Sequence, residues 1–366
     1  MDLRIAKNDI SRGLYLTHGI ADRKSTVPIL ANVLIRTVGK DKVLFAATDL
    51  KVAMMVTARA SVAEEGGITV AARQLYEIVK GMGGDEAHLT RSEQNWLHLA
   101  SGRAEFKVVG MTDRDFPKLP SVEEISCSKV EALLLSDMIG KTILSVSQDE
   151  TRPHLASVLL ESDGERATMV STDGHRLSKI TCAMPGGPRT PGVLLPRKGL
   201  AEIRRSLEGN EGACEIGVDL GYFVVKASDV VLSVKLGEGQ FPPYEQVIPK
   251  DNDKRITLDK DLFLEALRRV SIIASDKTWG IRLALERGKL SIEADNPDLG
   301  NAKERIEIEY KGAALQIGFN ARYFIDLLTE MKSKEVVLEL GGDLDPALVR
   351  PADGQDYLGV IMPMRL

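Results

Sequence analysis

One string in this chain carries residue types suited to proton transfer: Thr172-Asp173-Gly174-His175-Arg176. Asp173 and His175 as an acid–base pair, with Arg176 beside them, would suit a phosphohydrolase. The same string is also a hairpin-turn signature, because Asp-Gly favours the backbone of a tight turn. Residues two apart point to opposite faces if the segment is extended, which counts against a working pair. No other catalytic spacing occurs: there is no GxxxxGK[ST] loop, no GxGxxG opening a helix and no GxSxG. His18, His88, His98, His154 and His175 are scattered, without HExxH or a Cys/His cluster. Cys127, Cys182 and Cys214 lack CxxC spacing, which fits small apolar residues in a reduced cytoplasm. The expectation is a protein with no catalytic residues, no metal and no cofactor.

The elements that would position this string form a repeat. The segment from Pro28 (PILANVLIRTVGKDKVLFAATDLKVAMMV) reads as paired strands ending at Thr48-Asp49. HLASVLLESDGERATMVSTDGHRLSKI places Thr172-Asp173 at the same point, and WGIRLALERGKLSIEADNPDLGNAKERIEI places Asp295-Asn296 there. ITVAARQLYEIVKGM, VLLPRKGLAEIRRSL and LQIGFNARYFIDLLTEM each read as a strand running into an amphipathic helix. Leu200, Ile203 and Leu207 make one apolar stripe, Phe263, Leu267 and Val270 a second, and Phe324, Leu327, Leu328 and Met331 a third. Phe116-Pro117, Phe241-Pro242 and Met362-Pro363 are expected at matching places near the ends of the units. The fold class is α+β: three similar domains, at 1–122, 127–245 and 248–366, each with two helices packed on antiparallel sheet.

With 43% hydrophobic and 28% charged residues, the chain has ordinary globular composition and no apolar run long enough to cross a membrane. Its net charge of −5 argues mildly against nucleic acid, but the distribution answers that. The predicted helices 7–19, 73–82, 129–144, 197–208, 260–271 and 322–334 together carry +6, leaving −11 elsewhere. Arg73, Lys80, Arg197, Lys198, Arg204, Arg205, Arg268, Arg269, Arg322, Lys332 and Lys334 supply cations in or beside these helices. Helices turned one way would make a basic surface backed by an acidic one. No base-reading motif occurs, so such a surface would hold phosphates without regard to sequence.

An ordered set of strings resembles the bacterial β sliding-clamp family over the whole length. It comprises Pro28-Ile-Leu, Thr48-Asp-Leu50, Phe116-Pro117, Thr172-Asp-Gly-His-Arg-Leu177, Pro196-Arg-Lys-Gly199, Phe241-Pro242, Asn296-Pro297, Gly318-Phe-Asn320 with Tyr323, and Met362-Pro-Met-Arg-Leu366. The resemblance implies a head-to-tail homodimer, a six-domain ring around duplex DNA that gives the replicative polymerase its processivity. It implies as partners the polymerase catalytic subunit, the clamp loader, and other polymerases and repair proteins carrying clamp-binding peptides, with no membrane.

It also implies a peptide groove between the second and third domains: Leu155, Thr172, Gly174, His175, Arg176, Leu177, Pro242, Val247, Asn320, Tyr323, Val360, Ile361, Met362, Pro363, Met364, Arg365 and Leu366. This would be an apolar trough with adaptable Met residues and with His175 and Arg176 on a polar rim. Implied DNA contacts are Lys24, Arg73, Gln148, Arg152, Lys198 and Arg205. The implied dimer seam sets Arg103, Phe106 and Val108 against Ile272 and Ile273. Three residues depart from the family pattern. Gln246 and Glu105 stand where basic residues are common, and Pro346 sits where the rim is usually small or polar. A phosphohydrolase using Asp173, His175 and Arg176, and a monomeric scaffold of three repeats, are the competing readings.

Overall fold

The computed structural model describes every residue except Arg23, Glu123, Glu150, Asp276 and Leu366. Among the described residues the chain forms 25 strands and six helices in a thrice-repeated order. The first repeat runs β1 (Asp2–Ala6), α1 (Lys7–Thr17), β2 (Asn32–Val38), β3 (Lys42–Thr48), β4 (Val52–Arg59), β5 (Ser61–Glu64), β6 (Gly67–Ala71), α2 (Ala72–Gly81), β7 (Glu86–Arg91), β8 (Trp96–Ser101) and β9 (Ala104–Met111). The second runs β10 (Ser128–Glu131), α3 (Ala132–Ile143), β11 (Ser157–Ser162), β12 (Arg166–Thr172), β13 (Arg176–Ala183), β14 (Thr190–Pro196), α4 (Arg197–Ser206), β15 (Ala213–Asp219), β16 (Tyr222–Ala227) and β17 (Val230–Lys235). The third runs β18 (Lys254–Asp259), α5 (Lys260–Ser271), β19 (Gly280–Glu286), β20 (Lys289–Asn296), β21 (Gly300–Glu307), β22 (Leu315–Asn320), α6 (Ala321–Glu330), β23 (Glu335–Leu340), β24 (Ala347–Pro351) and β25 (Tyr357–Ile361). Only the first repeat has an extra strand, β5.

The chain divides into two compact units. One comprises 1–136, 186–188 and 198–236; the other comprises 137–185, 189–197 and 237–366. The middle repeat contributes residues to both. The first unit holds one sheet, ordered β10-β15-β16-β17-β4-β3-β2-β6-β9-β8-β7-β1-β5. The second holds two, ordered β14-β11-β12-β13-β25-β24-β23-β18 and β21-β20-β19-β22. In the first unit the last strand of the middle repeat, β17, pairs antiparallel with β4 of the first repeat, from Val230↔Val56 to Val234↔Val52. In the second unit β25 pairs with β13 in the same way, from Tyr357↔Ile180 to Ile361↔Arg176.

The predicted apolar stripes are the buried faces. Phe263, Leu267 and Val270 of α5 and Phe324, Leu327 and Leu328 of α6 are buried, and the Phe263 and Phe324 rings meet edge to face at 5.9 Å. Side-chain caps start both helices. Asp259 accepts from the Leu262 amide at 2.8 Å and Asn320 from the Arg322 amide at 2.9 Å.

Several boundaries differ from expectation. Residues 129–131 are strand rather than helix, and α1 and α4 end earlier than predicted. Helix α6 stops at Glu330 rather than 334, because Met331 turns extended at φ −81° and ψ 130°. On the observed spans the helices carry +5 rather than +6; α4 alone carries +3 and α6 carries −1. The Phe-Pro and Met-Pro pairs do not occupy matching places. Met362 follows β25 directly, whereas Phe116 and Phe241 come several residues after β9 and β17 end.

Candidate functional site

The Thr172–Leu177 string is a turn whose polar groups bond to one another. The Asp173 carboxylate accepts from the amides of His175 (2.9 Å) and Arg176 (3.0 Å), and Thr172 Oγ1 donates to the Arg176 carbonyl (2.8 Å). Gly174 lies at φ +88°, where a side chain would be strained. The first repeat builds the same turn, with Asp49 accepting from Lys51 and Val52 and Thr48 donating to Val52. Asp173 therefore serves the backbone, which removes the ground for pairing it with His175 as an acid–base centre.

Arg176 is not the rim charge expected. It is 13% exposed, with Nε on Asp173 (3.1 Å), one terminal nitrogen on Asp326 (2.7 Å) and its guanidinium 4.5 Å over the Tyr323 ring. Burial, with Asp173 nearby, pushes the Tyr323 hydroxyl above its ordinary pKa. Asp326 was missed from the sequence; its spacing of three from Tyr323 on α6 was the available signal.

Beneath this wall lies an apolar floor. Leu159, Val170, Leu177, Leu194, Leu348, Leu358 and Val360 form one buried cluster, with Phe241, Tyr244 and Ile248 packed against it. Tyr244 donates to Glu161 at 3.0 Å, fixing the segment that carries Pro242, Gln246 and Val247. Val247 and Gln246 are exposed, Leu155 and Pro242 half-buried, and Ile361 buried. Pro346 is half-buried, and its carbonyl accepts from Asn252.

The C-terminal segment is anchored by its backbone at two points. The Met362 amide donates to the His175 carbonyl and the Met364 amide to the Gly318 carbonyl, each at 2.9 Å. The second bond has a counterpart in the middle repeat, where the Gly237 amide donates to the Leu194 carbonyl. Met362 remains 41% exposed, Pro363 and Met364 are half-buried and Arg365 is exposed. Leu366 lies outside the described residues. His175, Arg176, Asn320 and Tyr323 also line a polar cleft of about 760 Å³, with Gln148, Arg152, Arg197, Lys277, Trp279 and Arg322 on its walls.

The residues singled out for DNA fall in both units. Gln148 and Arg152 share that cleft, while Lys24 and Arg73 are exposed in the other unit. Lys198 pairs with Asp49 and donates to the Ile20 carbonyl at 3.2 Å. Arg205 is largely built into its unit. It donates to the Leu16 carbonyl, pairs with Glu202 and lies 5.3 Å over the Tyr15 ring, so it supports the end of α1.

Of the residues singled out for the seam, Phe106 is 40% exposed and Ile272 is 74% exposed. Arg103 is exposed and Ile273 half-buried. Val108 is buried in its own sheet at 6% exposure, behind the surface Phe106 presents. Phe106 edges an apolar pocket of about 810 Å³ formed with Ala31, Ala71, Ala72, Arg73 and Ile78, which sequence reasoning missed.

The three cysteines are free, and burial pushes the Cys214 thiol up to about 11. No group of three or more potential metal ligands forms among the described residues. No described helix is long and apolar enough to cross a membrane.

Three family models match in chain order: the N-terminal domain of the DNA polymerase III beta subunit over residues 1–120, its central domain over 129–243 and its C-terminal domain over 245–365. The beta sliding clamp of Pseudomonas aeruginosa is 34% identical, and that of Escherichia coli K12 31% identical, each over the full length of both chains. A crystal structure of a Pseudomonas aeruginosa sliding clamp bound to griselimycin superposes with a TM-score of 0.92 at 33% identity, covering both chains completely. With its repeat, its turns and its anchored C-terminus, the chain belongs along its whole length to the DNA polymerase III beta subunit family, the beta sliding clamps.

Proposed function

We propose that two copies of this chain close head to tail into a six-domain ring around duplex DNA. The ring is a non-catalytic cytoplasmic clamp that tethers the replicative polymerase and gives it processivity. The domains fall at 1–122, 127–245 and 248–366. One observation carries the reading. The join between successive repeats is made twice within the chain by the same strands, β17 on β4 and β25 on β13. The strands that would make a third join are free. Ala104–Val108 of β9 pair only with β8, and β21 pairs only with β20. Unpaired edges are templates for another chain. An exposed Ile272 and the apolar pocket beside Phe106 supply complementary surfaces for a heterologous contact that closes with two copies. Sedimentation equilibrium should find two chains per particle; one chain would overturn the assembly.

Lys24, Arg73, Gln148, Arg152 and Lys198 are the proposed DNA contacts, with Lys198 exchanging Asp49 for phosphate. Arg205 belongs to this set chiefly through the helix it braces. Replacing Lys24, Arg73 and Lys198 together with Ala should weaken binding equally across sequences and flatten the salt slope by about one unit per lost contact. Arg205→Ala should instead lower stability by about 1–3 kcal/mol, through loss of charge-assisted bonds. An unchanged salt slope in the triple variant would move the basic surface elsewhere.

The apolar floor with Pro242, Val247, Met362 and Met364 is the proposed site for short peptides with hydrophobic anchors and a Gln. Such peptides would come from the polymerase catalytic subunit, the clamp loader, and other polymerases and repair proteins.

A further inference from the structure

The sulfur-bearing residues of this chain are unevenly placed. Of eleven methionines, seven are buried at 6% exposure or less, and Met55 and Met364 are half-buried. Only Met111, at 36%, and Met362, at 41%, are exposed. The cysteines are less accessible: Cys214 is buried, and Cys127 and Cys182 are half-buried. Burial also holds the Cys182 and Cys214 thiols above their ordinary pKa, away from the thiolate form that oxidants attack. Met362 is the most exposed sulfur-bearing residue in the protein.

Strand geometry fixes the side to which its thioether turns. Ile361 pairs with Arg176, and the Met362 amide donates to the His175 carbonyl at 2.9 Å, so the antiparallel ladder runs one residue past the end of β25. Leu358, Val360 and Met362 then share one face by alternation. Leu358 and Val360 belong to the apolar floor, with Leu177 and Leu348. The opposite face is closed at Gly359 by α6, where Leu327 leaves no room for a Cβ. Met362 thus has a fixed backbone and a side chain on the floor's side, open enough for a small oxidant to reach.

Hydrogen peroxide converts such a thioether in one step. A sulfur lone pair attacks one peroxide oxygen, the O–O bond breaks and an S–O bond forms. The leaving hydroxide takes the proton from the sulfur-bound oxygen and departs as water. Sulfur gives up two electrons and peroxide accepts them. The product is a polar sulfoxide where a flexible apolar side chain stood. An S=O dipole set against an apolar peptide anchor costs a desolvation that the reduced thioether does not.

We propose that Met362 is an oxidation site, and that its sulfoxide releases partner peptides while the chain keeps its fold. The inference rests on the groove reading above and adds a chemical switch to it. The seven buried methionines lie in the cores, out of reach of peroxide, so the response is local. Methionine sulfoxide reductases, one for each sulfoxide epimer, reverse the step: the oxygen leaves as water and a dithiol becomes a disulfide. A bound peptide would in turn shield the thioether.

The test uses full-length protein carrying Met111→Leu, a volume-conserving change on β9 of the other unit that removes the second exposed thioether. Hydrogen peroxide is titrated in, and mass spectrometry of proteolytic fragments locates the sulfoxides. Fluorescence anisotropy reads affinity for a labelled polymerase C-terminal peptide, and circular dichroism checks the fold. Met362 should oxidise ahead of the seven buried methionines, and saturating peptide should slow its oxidation about tenfold or more. The oxidised protein should bind the peptide about tenfold to a hundredfold more weakly with an unchanged spectrum, and both reductases together should restore affinity to within about twofold. With Met362→Leu added, the same peroxide dose should leave affinity within about twofold of that variant's own untreated value. Protein that carries the Met362 sulfoxide and binds as tightly as before, or an M362L variant that loses affinity as far as its parent, would overturn the inference. Reduced protein that binds no peptide would instead overturn the groove reading itself.

Discussion

A chain lacking Met362–Leu366 is expected to lose partner-peptide binding while keeping its dimer and its hold on DNA. The five backbone pairs between β13 and β25 lie before the cut, so only the bond from the Met362 amide to His175 leaves that join. The side chains lost include Met362, 41% exposed, and its neighbours Pro363 and Met364. Binding at such grooves concentrates in a few buried anchors, each worth about 2 kcal/mol or more, so losing two should weaken a peptide about a thousandfold. Titration of a labelled polymerase C-terminal peptide against the full-length and shortened chains reads this directly. Equal affinity would move the partner site away from the C-terminus. Loss of the dimer together with peptide binding would make the segment structural.

Replacing Ile272 and Ile273 with Ala is expected to convert the dimer into folded monomers. Ile272 is 74% exposed in the single chain, so its removal costs the monomer little. In the dimer each Ile272 would fill the pocket edged by Phe106 and Ile78, and burying such a side chain contributes about 1.5–3 kcal/mol. Closure uses the contact twice, so the dimer should weaken about a hundredfold to ten-thousandfold. A cooperative melting transition that is retained, though lowered by loss of the partner and by truncation of the half-buried Ile273, together with a halved sedimentation mass is the expected pair of results. A dimer of unchanged affinity would place the seam elsewhere.

Much of this architecture was legible in the sequence because it is encoded locally. Helical stripes such as Phe263, Leu267 and Val270 follow a 3.6-residue period. The Thr48-Asp49 and Thr172-Asp173 turns carry their own hydrogen-bonding side chains. What was hidden depends on partners far along the chain. Arg176 reads as a surface cation until Asp326, 150 residues later, takes its guanidinium. Arg205 reads as a phosphate contact until the Leu16 carbonyl, 189 residues earlier, accepts from it. Phe106 and Val108 share a face of β9, yet Val108 lies nearer the end that pairs with β6 and is buried while Phe106 is presented.

Loading onto a nicked circle followed by linearisation tests most directly whether the protein is held on DNA by encircling it. Clamp loaded by its loader should remain on the closed circle through gel filtration at a salt concentration that dissolves simple phosphate contacts. Cutting the circle once should release it by sliding off the ends, and blocking both ends with bound protein should restore retention. Equal persistence on linear DNA with free ends would contradict a ring, and would leave ordinary surface binding as the account of how this chain holds DNA.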